Sequence, residues 1–274
     1  MHALPALSAT AISALLARPL LRALAEGGHL HSNYRGRRLP YPYGLLIPAS
    51  ALLALAPLAL IERLGDVQVF YGGFGVILAY TLGVTLLGLI DDGFSDHSRG
   101  WRGHANKTLA GGFSTGALKA CGTLGLALYV MDQPGLSTGR YLLGSAVLVL
   151  TTNLFNLLDL RPGRATKVFL VLGGGLAIGS HSLRVLWALG LFAGPALLAG
   201  AVDLRERAML GDTGANLLGA LAGLWLVLSL STVGQLIALG LLATITIYGE
   251  FRSISELVDR NPVLHKLDSW GRPA

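Results

Sequence analysis

Charge is scarce in this chain. Asp, Glu, Lys and Arg make up 13% of its 274 residues, about half of what a soluble domain carries, which excludes an ordinary water-soluble fold. Cysteine occurs once, at Cys121, so no intrachain disulfide can form and cysteine usage says nothing about redox compartment. Long polar stretches, low-complexity linkers and internal repeats are also missing. The chain therefore reads as one integral-membrane domain over residues 1–274. What fills it is apolar: 53% of residues are hydrophobic and the mean hydropathy is +0.60, so the solvent for most of the surface is lipid.

A membrane-crossing helix needs about 20 mainly apolar residues, and the sequence supplies such runs in succession. The expected architecture is an all-α, polytopic helix bundle of about nine spans. These run from Leu4 to Ala25, Gly44 to Ile61, Gly73 to Ile90, Gly112 to Val130, Tyr141 to Leu158, Val168 to Gly179, Val185 to Val202, Ala215 to Leu230 and Val233 to Tyr248. Their abundant Gly and Ala suit close helix packing, because lipid offers no hydrophobic drive for association and small residues let backbones approach. Ala23-Leu24-Ala25 has the small-residue look of a signal cleavage site. However, the stretch from Met1 to Ser8 carries no Lys or Arg, and Arg18 interrupts the apolar run, so the first segment reads as a span.

Lys and Arg gather on one side of these spans. With the N-terminus outside, the inner loops and the C-terminus hold Arg22, Arg35, Arg37, Arg38, Arg99, Arg102, Lys107, Arg161, Arg164, Lys167, Arg205, Arg207, Arg252, Arg260, Lys266 and Arg272. The outer side holds only Arg63, Arg140 and Arg184. That bias predicts an outside N-terminus and a cytoplasmic C-terminus. The formal net charge of +6 becomes a property of the cytoplasmic membrane face and gives no reason to expect nucleic-acid binding.

The acids fall on the same face. Asp91 and Asp92 end the third span, Asp159 ends the fifth, and Asp212 opens the eighth within Leu210-Gly211-Asp212-Thr213-Gly214. Lys119 lies near the start of the fourth. Asn153, Asn156 and Asp159 recur every three residues, which places them on one helix face. Magnesium takes oxygen ligands and is usually held by one or two carboxylates plus substrate phosphates, to which Lys adds a point charge. Gly211 would let backbone approach an anion at a helix N-terminus. Each residue alone has a plainer reading. A single Asp at a span end is ordinarily a cap or interfacial anchor, Lys119 can snorkel, and the two Asn can bridge helices. The adjacent Asp91-Asp92 pair is harder to place this way, since neighbouring carboxylates repel unless a cation lies nearby.

Ile90-Asp91-Asp92, Asn153-Leu154-Phe155-Asn156-Leu157-Leu158-Asp159 and Leu210-Gly211-Asp212-Thr213-Gly214-Ala215-Asn216 together resemble three successive signatures of the polyprenyl-phosphate N-acetylhexosamine-1-phosphate transferases. That superfamily includes the phospho-N-acetylmuramoyl-pentapeptide transferase of peptidoglycan synthesis and the UDP-GlcNAc:undecaprenyl-phosphate GlcNAc-1-phosphate transferases. Asn33-Tyr34-Arg35-Gly36 to Leu39-Pro40, followed by Gly44, is similar to the family's first cytoplasmic loop. The resemblance implies a multi-pass cell-membrane enzyme with a cytoplasmic active site, whose partners are polyprenyl phosphate and a UDP-N-acetylhexosamine. It implies magnesium as cofactor and allows a homodimer. Carried over by position, it makes Asp212 the leading metal ligand, and Asp91 or Asp92 the group that orients or deprotonates the lipid phosphate. Asp159 would complete the acidic cluster, beside the metal or as nucleophile. Asn156 would hold substrate or Asp159, with Asn153 on the same face, and Lys119 would bind phosphate, with Lys107 as a second candidate.

The sequence departs from the family at two places. Pro162 stands where a second Asp usually follows Asp159, and Asn261 to Lys266 offers the single His265 where bacterial members have a His-rich loop. Arg161, Arg164 and His265 are the expected substitutes for contacting diphosphate. Besides an active transferase, a degenerate member that binds lipid phosphate or nucleotide, or scaffolds an envelope-synthesis complex, fits these departures. A transporter would instead spread acids through the membrane midplane.

Overall fold

The computed structural model describes residues 1–94 and 114–273. Among these, twelve α-helices follow in order: α1 (Leu4–Glu26), α2 (Leu46–Gly65), α3 (Phe74–Phe94), α4 (Thr115–Met131), α5 (Thr138–Leu158), α6 (Arg164–Ser180), α7 (Arg184–Ala188), α8 (Gly190–Leu204), α9 (Gly211–Ser229), α10 (Thr232–Phe251), α11 (Ile254–Arg260) and α12 (Pro262–Ser269). Every expected span falls on this series, apart from the Gly112 start of the fourth, which lies outside the described residues. Among the described residues, six helices are long and apolar enough to cross a membrane, α1, α2 with the turn that precedes it, α3, α5, α9 and α10. The fourth, sixth and seventh expected spans fall on shorter pieces. Helices α4 and α6 have 17 residues each, and the seventh segment divides at Leu189 into helices of 5 and 15, all below the roughly 20 needed to traverse a typical hydrocarbon core without help.

Helix α9 is the hub. From Gly211 to Leu226 every residue except Asp212 is buried, and it packs on α3, α5 and α6. Glycine makes this possible. A β-carbon on Gly219 would sit 2.6 Å from Thr152 Cα of α5, and one on Gly88 of α3 would sit 2.5 Å from the Asp212 carbonyl oxygen. Those distances are too short for any side chain, so the helix backbones themselves are in contact. Helices α1, α2 and α8 pack beside this group, and α10 lies on α5 with little else around it.

The expectation of purely helical structure meets one exception. Leu30–Ser32 and Arg38–Pro40 pair as an antiparallel hairpin. Asn33 sets its turn by accepting the amides of Arg35 and Arg37 at 2.9 and 3.0 Å, and Gly36 takes a left-handed φ of 76°. A short polar loop can fold this way because an Asn side chain substitutes for a backbone acceptor.

Candidate functional site at one end of the bundle

Four helix ends meet where α3 and α5 finish and α4 and α9 begin. The Lys119 ammonium of α4 bridges two carboxylates, with Nζ 2.5 Å from Asp91 Oδ2 and 2.5 Å from Asp212 Oδ2. All three side chains keep partial access to the outside, between 13 and 29%. Asn156, one turn from the end of α5, completes the group. With its amide turned to donate, it reaches Asp212 Oδ1 at 2.8 Å and Oδ2 at 3.2 Å.

Asp92 does something different from its neighbour. Oδ1 accepts the Asp212 amide at 2.8 Å and the Tyr41 hydroxyl, while Oδ2 accepts the Thr213 amide at 2.8 Å and its hydroxyl at 2.5 Å. A carboxylate offers about four acceptor positions, and here four donors fill them. Asp92 thus caps the first turn of α9 from another helix, satisfying amides that have no partner within α9 and placing a negative charge at the positive end of its dipole. Gly211 belongs to the same joint. Its φ is 73°, and a β-carbon there would lie 2.8 Å from Tyr41 Cε2 and 2.9 Å from Asp92 Oδ2. Burial and the Asp92 charge push the Tyr41 hydroxyl up, so it stays protonated and donates.

Asp159 follows directly on α5. Its carboxylate has no hydrogen-bond donor among the described residues. Burial pushes its carboxyl well above the usual carboxylate range, and the nearby charges of Asp203, Asp212 and Asp92 add to the effect. Asn153 is half-buried and makes no side-chain hydrogen bond among the described residues, and Lys107 lies outside them.

The three substitutes expected for diphosphate contact are engaged elsewhere. Arg164 is buried and holds Asp268 of α12 through Nε at 2.8 Å and NH2 at 2.9 Å, with Ser255 at 2.9 Å. Arg161 lies 3.6 Å from Asp259 and stacks on the Tyr34 ring at 4.3 Å. His265 faces the same Asp259 at 3.3 Å.

Sequence reasoning passed over four residues that shape this end. Tyr41 is the first. Asp203 is buried and accepts the Gly163 amide at 2.6 Å, which fixes the turn after Asp159. Glu206, also buried, receives Asn33 at 3.3 Å, Tyr34 at 3.2 Å and Arg37 at 3.4 Å, with Arg35 at 3.5 Å, and so ties the hairpin to the loop before α9. The only hint was two acids, Asp203 and Glu206, in an otherwise basic loop. Glu206→Ala should leave these donors short of a partner at a cost of about 1–3 kcal/mol. Trypsin should then cut after Arg35, Arg37 or Arg38 several-fold faster than in the parent protein, while cleavage elsewhere is unchanged.

Asp268 is the fourth. Burial pushes its carboxyl up, but hydrogen bonds and charge from Arg164 and Arg272 outweigh that and hold it below its ordinary 3.8. A depressed value means that the stabilisation is complete above the unfolded-chain value and is lost as pH falls through the folded one. Helix α12 should stay docked down to about pH 4 and come loose in stronger acid. Proteolysis after Lys266 by an acid-tolerant protease would read this, and Asp268→Asn should remove the pH dependence.

Asp91 and Asp212 present oxygens that are not all taken by protein donors, in a half-open position, whereas Asp92 has none to spare. Two carboxylates with substrate phosphates can hold magnesium, while no three Asp, Glu, His or Cys side chains among the described residues are grouped to hold a metal ion. Lys119 already neutralises part of this charge, so a divalent ion would share the carboxylates with it or displace it. No family profile and no curated protein matches the chain.

Proposed function

We propose that this membrane protein transfers an N-acetylhexosamine 1-phosphate from a UDP-sugar to a polyprenyl phosphate such as undecaprenyl phosphate, releasing UMP, in cell-envelope polymer synthesis. One observation carries the reading: Asp91, Asp212, Lys119 and Asn156, from four different helices, converge at a single end of the bundle. A charged cluster of this kind in a membrane bundle is costly and is ordinarily kept for function. The resemblance of the three segments that supply it adds the reaction class. On this reading the site faces the cytoplasm, the N-terminus lies outside, and the shorter helices complete about nine spans.

In the reaction a phosphate oxygen of the lipid attacks the sugar-linked phosphorus of the donor. A new P–O bond forms, the P–O bond to UMP breaks, and the product is a lipid diphosphate sugar. Asp212 and Asp91 would hold magnesium, with Asp159 beside them, and the ion would neutralise charge on the donor diphosphate. Lys119 meets a phosphate oxygen when it releases one of its two carboxylates. Asn156 keeps the Asp212 carboxylate from rotating. Asp92, through Thr213 and the α9 amides, fixes where Asp212 stands. Asp159 would complete the acidic cluster beside these two. Catalysis rests on positioning and charge neutralisation, as phosphoryl transfer generally does.

The test is direct: detergent-purified protein with undecaprenyl phosphate, magnesium and each UDP-sugar, assayed for UMP. Magnesium-dependent release that Asp212→Asn abolishes supports the enzyme. The filled oxygens of Asp92 and the engagement of Arg164 with Asp268 favour a second reading, a member that binds lipid phosphate without turnover. It predicts retention of lipid phosphate with no UMP from any donor.

A further inference from the structure

The C-terminal helix presents an apolar stripe outward. Val263, Leu267 and Trp270 recur at helical spacing and are 68, 58 and 77% exposed, with Lys266 beside them and without an acidic partner among the described residues. The opposite face is fastened to the bundle. Asp268 accepts from Arg164 at 2.8 and 2.9 Å, and the Lys167 ammonium closes the end of the helix on the Leu267 and Asp268 carbonyls at 3.2 and 2.5 Å. The arrangement is the reverse of a helix on a soluble protein, which turns charge outward and apolar residues inward.

The stripe continues the exposed apolar surfaces of α10 and α6. Helix α10, one of the six membrane-length helices, leads into α11 and α12 and ends at the exposed Phe251. On the other side, a groove of about 590 Å³ runs from Leu264, Leu267 and Trp270 to the exposed Leu170 and Val171 of α6. Between Glu250 and Pro273 the sequence holds four basic residues, Arg252, Arg260, Lys266 and Arg272, and four acidic ones, Glu250, Glu256, Asp259 and Asp268. The partner therefore needs no net charge.

We infer that the outer face of α12 lies in the headgroup–acyl boundary of the bilayer, with phospholipid chains against Val263, Leu267 and Trp270 and a lipid phosphate against Lys266. Trp and Lys suit that depth, the ring at the boundary and the ammonium reaching outward. Through Asp268 and Arg164, and through Arg272, which donates to the Pro162 carbonyl at 2.8 Å, the lipid-seated helix holds the turn next to Asp159.

The test uses the full chain in phosphatidylcholine bilayers. Cys121→Ser removes the native thiol, and a nitroxide is attached at Val263→Cys. Ile237→Cys, exposed on α10, serves as the lipid reference and Asp132→Cys, in an exposed loop, as the aqueous one. Collision with oxygen relative to a water-soluble nickel complex should be several-fold higher at 263 than at 132 and approach that at 237. A ratio equal to that at 132 means the stripe faces water and overturns the proposal. Poor access to both reagents, or dipolar broadening between labels, means that protein covers it, either residues 95–113 or a second copy, and also overturns it. Should the Val263→Cys protein fail to fold, Leu267→Cys gives the same comparison.

Discussion

Lys119→Met should abolish UMP release, by at least about a thousand-fold, and destabilise the protein by about 3–5 kcal/mol. The ammonium is the only cation seen between Asp91 and Asp212 among the described residues, at 2.5 Å from each. Removing it leaves two carboxylates facing each other in a mostly buried place, where their repulsion is poorly screened. The stability loss should be partly repaired in Lys119→Met with Asp91→Asn, because the second change removes one of the opposed charges. Activity should not return, because the phosphate contact is still missing. A double-mutant cycle by thermal unfolding in detergent, beside the UMP assay, separates the two effects. If Lys119→Met keeps parental activity, the assignment of Lys119 to phosphate is wrong.

Asp92→Ala is expected to be nearly as damaging through a different cause. It strips partners from the Asp212 and Thr213 amides and from the Tyr41 and Thr213 hydroxyls. Each unpaired buried group costs about 1–3 kcal/mol, and with some reorganisation we expect about 3–5 kcal/mol in total. Asp92→Asn should lie between, since one amide oxygen still accepts while its NH2 faces donors. If Asp92 acts by capping α9, activity in Asp92→Asn should fall in step with stability and keep its pH profile. A general base would show the opposite: normal stability and a profile that has lost its acidic limb.

Much of the fold was legible because lipid imposes a simple rule. Runs of apolar residues near membrane length become helices, and each expected span begins or ends within a few residues of an observed helix. The exceptions are instructive. At α4, α6 and the α7–α8 pair the sequence runs were apolar, but the helices are too short to be assigned to the membrane by length alone. The hairpin at Leu30–Pro40 was invisible because its stability comes from Asn33 and Glu206, and Glu206 is 173 residues from Asn33. At the site, the spacing of Asp91, Asn156 and Asp212 at span ends indicated that they share one end of the bundle, and Lys119 near the start of α4 followed. Local spacing could not separate Asp91 from Asp92. Successive residues on a helix point about 100° apart, so one meets Lys119 and the other meets the first turn of α9. Arg164 and Arg161 looked equally available, yet long side chains take whichever partner packing brings near, and Asp268 and Asp259 lie on helices that only the fold places there.

What the sequence settled by itself was the solvent and the gathering of its charged chemistry at span ends. Its lack of charge makes the protein a membrane bundle, and its few charged residues stand at span ends because transfer into lipid penalises charge within them. What the tertiary structure alone decided was the division of labour within that cluster. Backbone contact at Gly88 and Gly219 sets the spacing of α3, α5 and α9. That spacing makes Asp92 a helix cap, Asp91 and Asp212 the pair that shares Lys119, and Asp159 a carboxyl without a donor among the described residues. Hydrogen bonds reach only about 3 Å, so their partners are chosen by packing between distant segments.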